Sequence, residues 1–518
     1  MLITIRMGPV REALIAGPRS EGSTPTMFSV TQWGIVDAIC FALFFAYLAW
    51  LPLPFGSASD GAQIWLIVPA LVLGATTILH VVVPARRYSR AVRVWLAGAA
   101  LFLLVAAIQL VPLPVSLLGM LSPKAAAIRR SADGIARLAG VMPSAFHPLT
   151  LDPTDTGLQV LRLLAFFSIF VTALLLVRGA ARRMALAFLL VATAMFETFY
   201  AVREASLGRF SIWGWKNTLM YGRPSGTFVN PNHFAHYAAI ILPMAGFLCA
   251  LAWHESSRPG ASFGRHAASL IEKRLPLFAM GALGALACVT SIVIAQSRGA
   301  VLAVLGGIAL ASVMTRSGAQ GLARRLWAVV SVAGLIVLLV FVLGRGEIAS
   351  RLHGDQTSGL GGRRAPLRAA VNSWSLFPVF GSGANTFEDV ILMTQKPGEI
   401  LFNHAHNDYV EIAATMGLIG LLAGFAPLLW GYHLLSQELR RGTHGSWRRD
   451  AFQVAALTSV GIALVHALFD FNFFIPANPA TLAAIAGAAA GATARQVRQK
   501  DRAGHDRGAA GNSVRAET

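Results

Sequence analysis

The sequence predicts an all-α, polytopic membrane protein of about twelve transmembrane helices, with long outer loops that contain short amphipathic helices. Three observations predict it. Hydrophobic residues fill 55% of the 518 positions and charged residues only 13%, against roughly 25% charged in a soluble domain. The mean hydropathy is +0.60. Apolar runs of about twenty residues, the length that crosses a hydrocarbon core, recur along the chain. The segments between them alternate in basic charge as the positive-inside rule requires.

In chain order the predicted spans cover 33–53, 62–84, 92–112, 156–177, 183–202, 233–253, 276–296, 299–315, 325–344, 409–432, 451–471 and 478–494. Residues 1–32 are polar, and the first apolar run is long enough to stay in the membrane, so no cleaved leader is expected. The last span is rich in Ala and Gly, and the basic tail 495–518 reads as disordered. An even number of spans puts both termini on one side. Arg86, Arg87, Arg90 and Arg93 then fall inside, as do Arg178, Arg182, Arg183, Arg440, Arg441, Arg448 and Arg449, while the connections 54–61 and 472–477 hold no Lys or Arg. Both termini are therefore expected to be cytoplasmic. The net charge of +19 belongs mostly to this bias and does not signal nucleic-acid binding. Cys40, Cys249 and Cys288 lie inside apolar runs and form neither a disulfide framework nor a metal-ligand pattern.

Three outer segments, 113–155, 203–232 and 345–408, exceed the length of ordinary connections and are expected to be functional. Residues 363–380 read as a short amphipathic helix lying on the membrane. Neither an internal repeat nor the paired broken helices of secondary transporters are evident in the sequence.

The densest chemistry lies in Asn403-His404-Ala405-His406-Asn407-Asp408-Tyr409, directly before a span. Trp, Tyr, Lys and Arg are the usual interfacial anchors, so two histidines framed by amides point to proton transfer, for which imidazole is suited near neutral pH. His404 and His406 both qualify as the base. Asp408 either orients an imidazole or faces solvent, and solvent is the plainer reading. Several arginines stand on the outer side. Arg298 lies in the tight turn between spans seven and eight, and Arg162 lies inside span four, where an unpartnered guanidinium costs a few kcal/mol. With Arg223 and Arg364 they suit a diphosphate, which a planar guanidinium grips through paired charge-assisted bonds. Segment 221–233 reads as a shaped turn, in which Asn232 either caps the following helix or positions substrate. His233 and His236 read as helix-end residues. Asp470 and Asn472 sit at the outer end of span eleven, where an acid is a functional candidate.

Four stretches resemble the O-antigen ligase and O-antigen polymerase superfamily of bacterial membrane glycosyltransferases. They are Gly222-Arg223-Pro224-Ser225-Gly226-Thr227-Phe228 through Asn230-Pro231-Asn232, Ser297-Arg298-Gly299-Ala300, Pro378-Val379-Phe380-Gly381-Ser382-Gly383 with His404-Ala405-His406-Asn407, and Asp470-Phe471-Asn472-Phe473 with Ile475-Pro476-Ala477. The family's signature, His then Asn or Ser, nine residues, then Gly-x-x-Gly, is matched by His406-Asn407 and Gly417-Leu418-Ile419-Gly420. The likeness covers 183–494 best, and Thr227 stands where ligases often carry leucine.

The resemblance implies a reaction at the periplasmic face of the bacterial inner membrane. The donor is a glycan on undecaprenyl diphosphate, and the acceptor is a sugar hydroxyl on lipid A-core or on another lipid-linked glycan. His406 acts as general base, and Arg223 and Arg298 hold the diphosphate, with Arg162 and Arg364 as further candidates. His404, Asn407, Asp408, Asn232 and Asp470 support the site. No metal or other cofactor is expected, because arginines neutralise the departing charge. The alternative, a transporter or flippase of polysaccharide or lipid-linked oligosaccharide, predicts charges along many spans, and the embedded charges here are few.

Overall fold

The computed structural model describes residues 30–81, 88–217, 222–256, 260, 262–315, 360–395, 402–441 and 446–493. They form a mostly helical bundle. The helices are α1 (Val30–Trp50), α2 (Asp60–Val81), α3 (Arg90–Ile108), α4 (Val115–Leu121), α5 (Pro123–Leu138), α6 (Pro153–Leu176), α7 (Gly179–Ser206), α8 (Pro231–Ser256), α9 (Phe263–Ile294) and α10 (Arg298–Met314). The chain continues with α11 (Leu360–Leu376), α12 (Phe387–Ile391), α13 (Asp408–Arg440), α14 (Trp447–His466) and α15 (477–493). Among the described residues seven helices, α2, α3, α6, α7, α8, α9 and α13, are long and apolar enough to cross a membrane. The chain is thus a polytopic all-α membrane protein. Seven stand where the sequence predicts about twelve. The apolar parts of α1 and α10 are shorter, α14 and α15 complete the bundle, and the predicted span 325–344 lies outside the described residues.

Lipid offers backbone groups no hydrogen bonds, so helix starts are capped by side chains. Ser89 caps α3, Asp152 caps α6 with Pro153 at its first position, Ser297 caps α10 and Asn407 caps α13. Between helices, small residues permit close approach. A Cβ on Gly307 of α10 would run into the backbone of Ile462 on α14. Among the seven long apolar helices the most enclosed is α8, packed on α9 and α14 and buried along most of its length.

The element that shapes one end of the bundle is α13, which is not continuous. Gly417 has φ 68° and ψ −173°, a region essentially confined to glycine, and the helix breaks there. The freed backbone groups bond to the chain 378–383. Leu418 N donates to Pro378 O at 2.9 Å and Ile419 N to Val379 O at 3.2 Å. In return Ser382 N donates to Ala414 O at 3.2 Å and Gly383 N to Thr415 O at 2.9 Å. Gln109 locks the junction, its amide donating to Phe380 O at 2.6 Å and Thr415 O at 3.0 Å and accepting from Ala384 N at 2.8 Å. The Gly-x-x-Gly of the sequence signature is therefore a helix break, an interruption that the apolar pattern alone does not announce.

The long segments at this end are folded. Residues 113–155 form α4, α5 and a two-stranded pair, β1 (Pro112–Pro114) with β2 (Phe146–Pro148), over a small core of Leu118, Ala125, Leu149, Phe377 and Val390. Arg129 Nη2 of α5 ties to the carbonyls of Thr150 and Leu151 at 2.7 and 2.9 Å. A second pair, β3 (Ser211–Ile212) with β4 (Trp215–Lys216), follows α7. The amphipathic helix expected at 363–380 is α11, which packs Ala369 and Ala370 with Ala405 and Ala414. At the opposite end of α8, Glu255 pairs with Arg274 at 3.0 Å and Arg448 at 2.7 Å.

Gly417→Ala places a Cβ against the Val379 carbonyl at a backbone conformation that L-residues avoid. The expected loss is about 1–3 kcal/mol, more if the junction opens. A thermal melt in detergent that leaves the variant as stable as the wild type would refute the junction's role.

Candidate active site

The sequence Ala405-His406-Asn407-Asp408 enters α13 by a sharp reversal. His406 takes φ 52°, the left-handed region that a non-glycine residue enters at a cost, and Asn407 Oδ1 accepts from Val410 N at 3.1 Å. The same Asn407 amide donates to Leu468 O at 3.1 Å, tying the start of α13 to the end of α14. Asp408 N donates to Ala467 O at 2.9 Å, and its carboxylate accepts from Phe473 N at 3.2 Å. Asp408 is fully buried, which overturns the solvent-facing expectation. It builds the turn after α14 and, among the described residues, makes no bond to a histidine ring.

The carboxylate that meets His406 is Asp470, with His406 Nδ1 at 3.1 Å from Asp470 Oδ1. Arg363 Nη2 of α11 donates to Asp470 Oδ2 at 3.1 Å, and its Nη1 to Phe469 O at 2.6 Å. His233 Nε2 of α8 lies 3.8 Å from Asp470 Oδ1. Burial alone pushes the Asp470 carboxyl up, but the nearby His233 ring, the hydrogen bond from His406 and the Arg363 charge hold it well below the usual carboxylate range. An ionised carboxylate only accepts, so His406 Nδ1 is the donor and the lone pair of a neutral ring sits on Nε2. The His406 side chain is 30% exposed and Asp470 1%.

A second imidazole–carboxylate pair stands beside the first. His404 Nδ1 lies 2.7 Å from Glu411 Oε1 in the first turn of α13, and Glu411 Oε2 accepts from Ala405 N at 2.8 Å. Phe471 joins the two pairs. His404 stacks on it with centroids 3.9 Å apart, and His233 and His406 meet its ring edge-on at 4.5 and 5.0 Å. One helical turn deeper, His236 Nδ1 and His466 Nδ1 share a hydrogen bond of 2.8 Å between α8 and α14.

The cations flank this cluster. Arg298 begins α10, is exposed, and has no hydrogen-bond or ion-pair partner among the described residues. The neighbouring Gly299 abuts the end of α14, since a Cβ there would lie 3.0 Å from His466 Nε2 and 3.5 Å from Phe469 Cβ. Arg223 Nε donates to Ala295 O at 3.1 Å, and Arg223 Nη2 both to that carbonyl and to Asn232 Oδ1 at 3.2 Å. The cap of α8 is Asn230, whose Oδ1 accepts from Asn232 N at 2.9 Å, so Asn232 is free to steady Arg223 instead. The turn carrying Arg223 is anchored from α7: Glu197 accepts from Thr227 N at 2.8 Å and lies 2.8 Å from its hydroxyl. Arg162 bonds Gln63 at 2.8 Å and Gln159 at 3.4 Å, away from the histidines. Arg364 is exposed on α11 beside Arg363. The structure thus brings together His404, His406, Asn407 and Asp470, holds Arg223 with Asn232, and leaves Arg162 outside the cluster.

Sequence reading missed Arg363, Glu411, Phe471 and the role of His233. Glu411 had a signal, an acid in the first turn of a span that already followed two histidines. Arg363 had none that separated it from Arg364. Beside the cluster, an apolar cleft of about 280 Å³ opens between α3, α6, α13 and α15, lined by Trp95, Phe102, Phe166, Phe425 and Phe474 among others. Among the described residues one acidic trio, Asp152, Asp155 and Asp389, brings ligand oxygens within 4.8 Å of each other, and Asp152 is already engaged in capping α6.

Asp470 carries a pH signature. Its folded pKa is depressed, so its stabilisation is complete above the unfolded value of 3.8 and fades as pH falls through the folded value. Asp470→Asn should therefore melt lower than wild type by a gap that is steady above about pH 4 and shrinks in more acid solution. A gap that widened on acidification would contradict the ionised assignment.

Residues 283–425 match the O-antigen ligase family model, and no curated protein matches the chain. The matched region holds Arg298, Arg364, His404, His406, Asn407 and the Gly417 break, whereas Arg162, Arg223, Asn232 and Asp470 lie outside it. Over that region the chain is similar to the O-antigen ligase family.

Proposed function

We propose that the chain is a glycosyltransferase of cell-surface polysaccharide assembly, moving a glycan from undecaprenyl diphosphate to an acceptor sugar hydroxyl, in the manner of an O-antigen ligase or polymerase. The observation that carries this reading is the His406–Asp470 contact of 3.1 Å at the accessible end of a membrane bundle. His406 Nε2 takes the proton of the acceptor hydroxyl as its oxygen attacks the anomeric carbon. Asp470 fixes the ring through Nδ1–H and stabilises the imidazolium that forms, and Arg363 keeps that carboxylate from drifting. The bond to the diphosphate breaks with its electron pair leaving on oxygen. Arg298, exposed and without a partner among the described residues, and Arg223, steadied by Ala295 and Asn232, receive that charge. Arg364 and Arg162 are further cations for the diphosphate or its approach. The apolar cleft suits prenyl units, since it is lined almost wholly by aromatic and aliphatic side chains.

The histidine end is the periplasmic face in this reading, with both termini cytoplasmic at the bacterial inner membrane. The support is the charge bias of the sequence, with Arg178, Arg182, Arg440, Arg448 and Arg449 at the opposite ends of α7, α13 and α14.

Purified protein should transfer glycan from an undecaprenyl-diphosphate donor with chelator present. His406→Ala is expected to lose about 10²–10⁴-fold in rate, and Asp470→Asn, which inverts the tautomer preference of the ring, up to about 10⁴-fold. Arg298→Ala is expected to lose about 10²–10³-fold. Undiminished transfer by His406→Ala moves the base elsewhere. No transfer by wild type with lipid A-core or lipid-linked glycan as acceptor overturns the enzyme reading in favour of transport.

A further inference from the structure

General-base catalysis uses one imidazole, yet two imidazole–carboxylate pairs meet at Phe471, and their electrostatic surroundings differ. Asp470 has a permanent cation, Arg363, at 3.1 Å, so its charge is compensated while His406 is neutral. Glu411 is equally buried, its side chain 1% exposed, and among the described residues its one candidate cation is His404 at 2.7 Å. A buried carboxylate without a countercharge costs several kcal/mol. The charge of Glu411 is therefore compensated when His404 holds both of its protons. The first carboxylate thus has a fixed countercharge besides its imidazole, whereas the second faces its imidazole alone among the described residues. Two titrating groups set apart by their surroundings are the recurring arrangement of an acid and a base.

The geometry of His404 fits that role. Its Nδ1–H is directed to Glu411, its ring is pinned flat on Phe471 at 3.9 Å, and its side chain is 24% exposed, so Nε2–H is the proton left to give.

We propose that His404 is the general acid of the transfer, with Glu411 as its positioning residue; this rests on the glycosyl-transfer reading. As the bond between the anomeric carbon and the diphosphate oxygen breaks, the electron pair stays on that oxygen, which takes the Nε2 proton of His404. The acceptor oxygen forms the new bond and passes its proton to His406 Nε2. Solvent then takes a proton from His406 and returns one to His404, restoring both rings. The division of labour is that of inverting glycoside hydrolysis, in which one group acts as acid and another as base.

The test is the pH dependence of kcat for transfer from an undecaprenyl-diphosphate donor by wild type, His404→Gln, Glu411→Gln and His406→Ala. Wild type is expected to show a bell. His404→Gln should lose about 10²–10⁴-fold in kcat and, with it, the alkaline fall of the bell. Glu411→Gln should keep that fall but move it to lower pH, which holds the proposal open to test if His404→Gln fails to accumulate. An alkaline limb unchanged in either variant, at whatever level of activity, overturns the acid assignment. No transfer by wild type would instead overturn the transfer reading itself, so the two failures are distinguishable.

Discussion

A single buried charge organises the working end of this bundle. Asp470 lies beyond the last turn of α14, almost wholly enclosed, and an ion in that position is tolerated only with partners that return what desolvation removes. Those partners come from distant parts of the chain: His406 from the entry to α13, Arg363 from α11 and His233 from the first turn of α8. Satisfying one carboxylate therefore fixes the relative positions of four elements. The 3.1 Å contact to Nδ1 is a structural bond that engages one ring nitrogen of His406 and leaves Nε2 out of the pair.

The same economy governs the backbone. A helix in lipid cannot break without supplying partners for its freed groups. At Gly417 those partners are the 378–383 segment and the Gln109 amide, which bonds three backbone groups at once. The break thus couples α3, α13 and the loop after α11 beneath the histidines. The distance from His406 to Gly417 is a structural length, the short helix between the site and the junction that supports it.

The sequence made the chemistry legible where it was local. His406, Arg298 and Arg223 stand in compact polar stretches against apolar surroundings, and the Gly-x-x-Gly spacing is visible by counting. What it hid was tertiary. Nothing in the chain order says that Asp470 answers His406 across 64 residues or that Arg363 rather than Arg364 reaches it, since a helix rotation of one residue decides the latter. The burial of Asp408 was misjudged because an acid before a span is polar by composition whichever way it points. The role of Asn232 was half legible: a cap was needed, but Asn230 filled it. The span count was the weakest inference, because short apolar helices such as α10 meet a composition test before they meet a length test.

Helix polarity adds to the side chains at this end. α8, α10 and α13 all begin here, α8 and α13 at Asp470 and α10 against Phe469, while of α14 only the C-terminal end arrives. A helix start carries roughly half a positive charge, and its first amide groups lack intrahelical partners. Three such starts, with Arg298 placed at the first position of one of them, raise the local potential for an anion beyond what the guanidinium supplies alone. Asp408 and Glu411 in the first turn of α13 do not cancel this. Asp408 is turned inward to the amide of Phe473, and Glu411 faces His404. The negative side chains at this end are thus committed to the histidines, Arg363 and the Phe473 amide, and Arg298 stands exposed at a helix start.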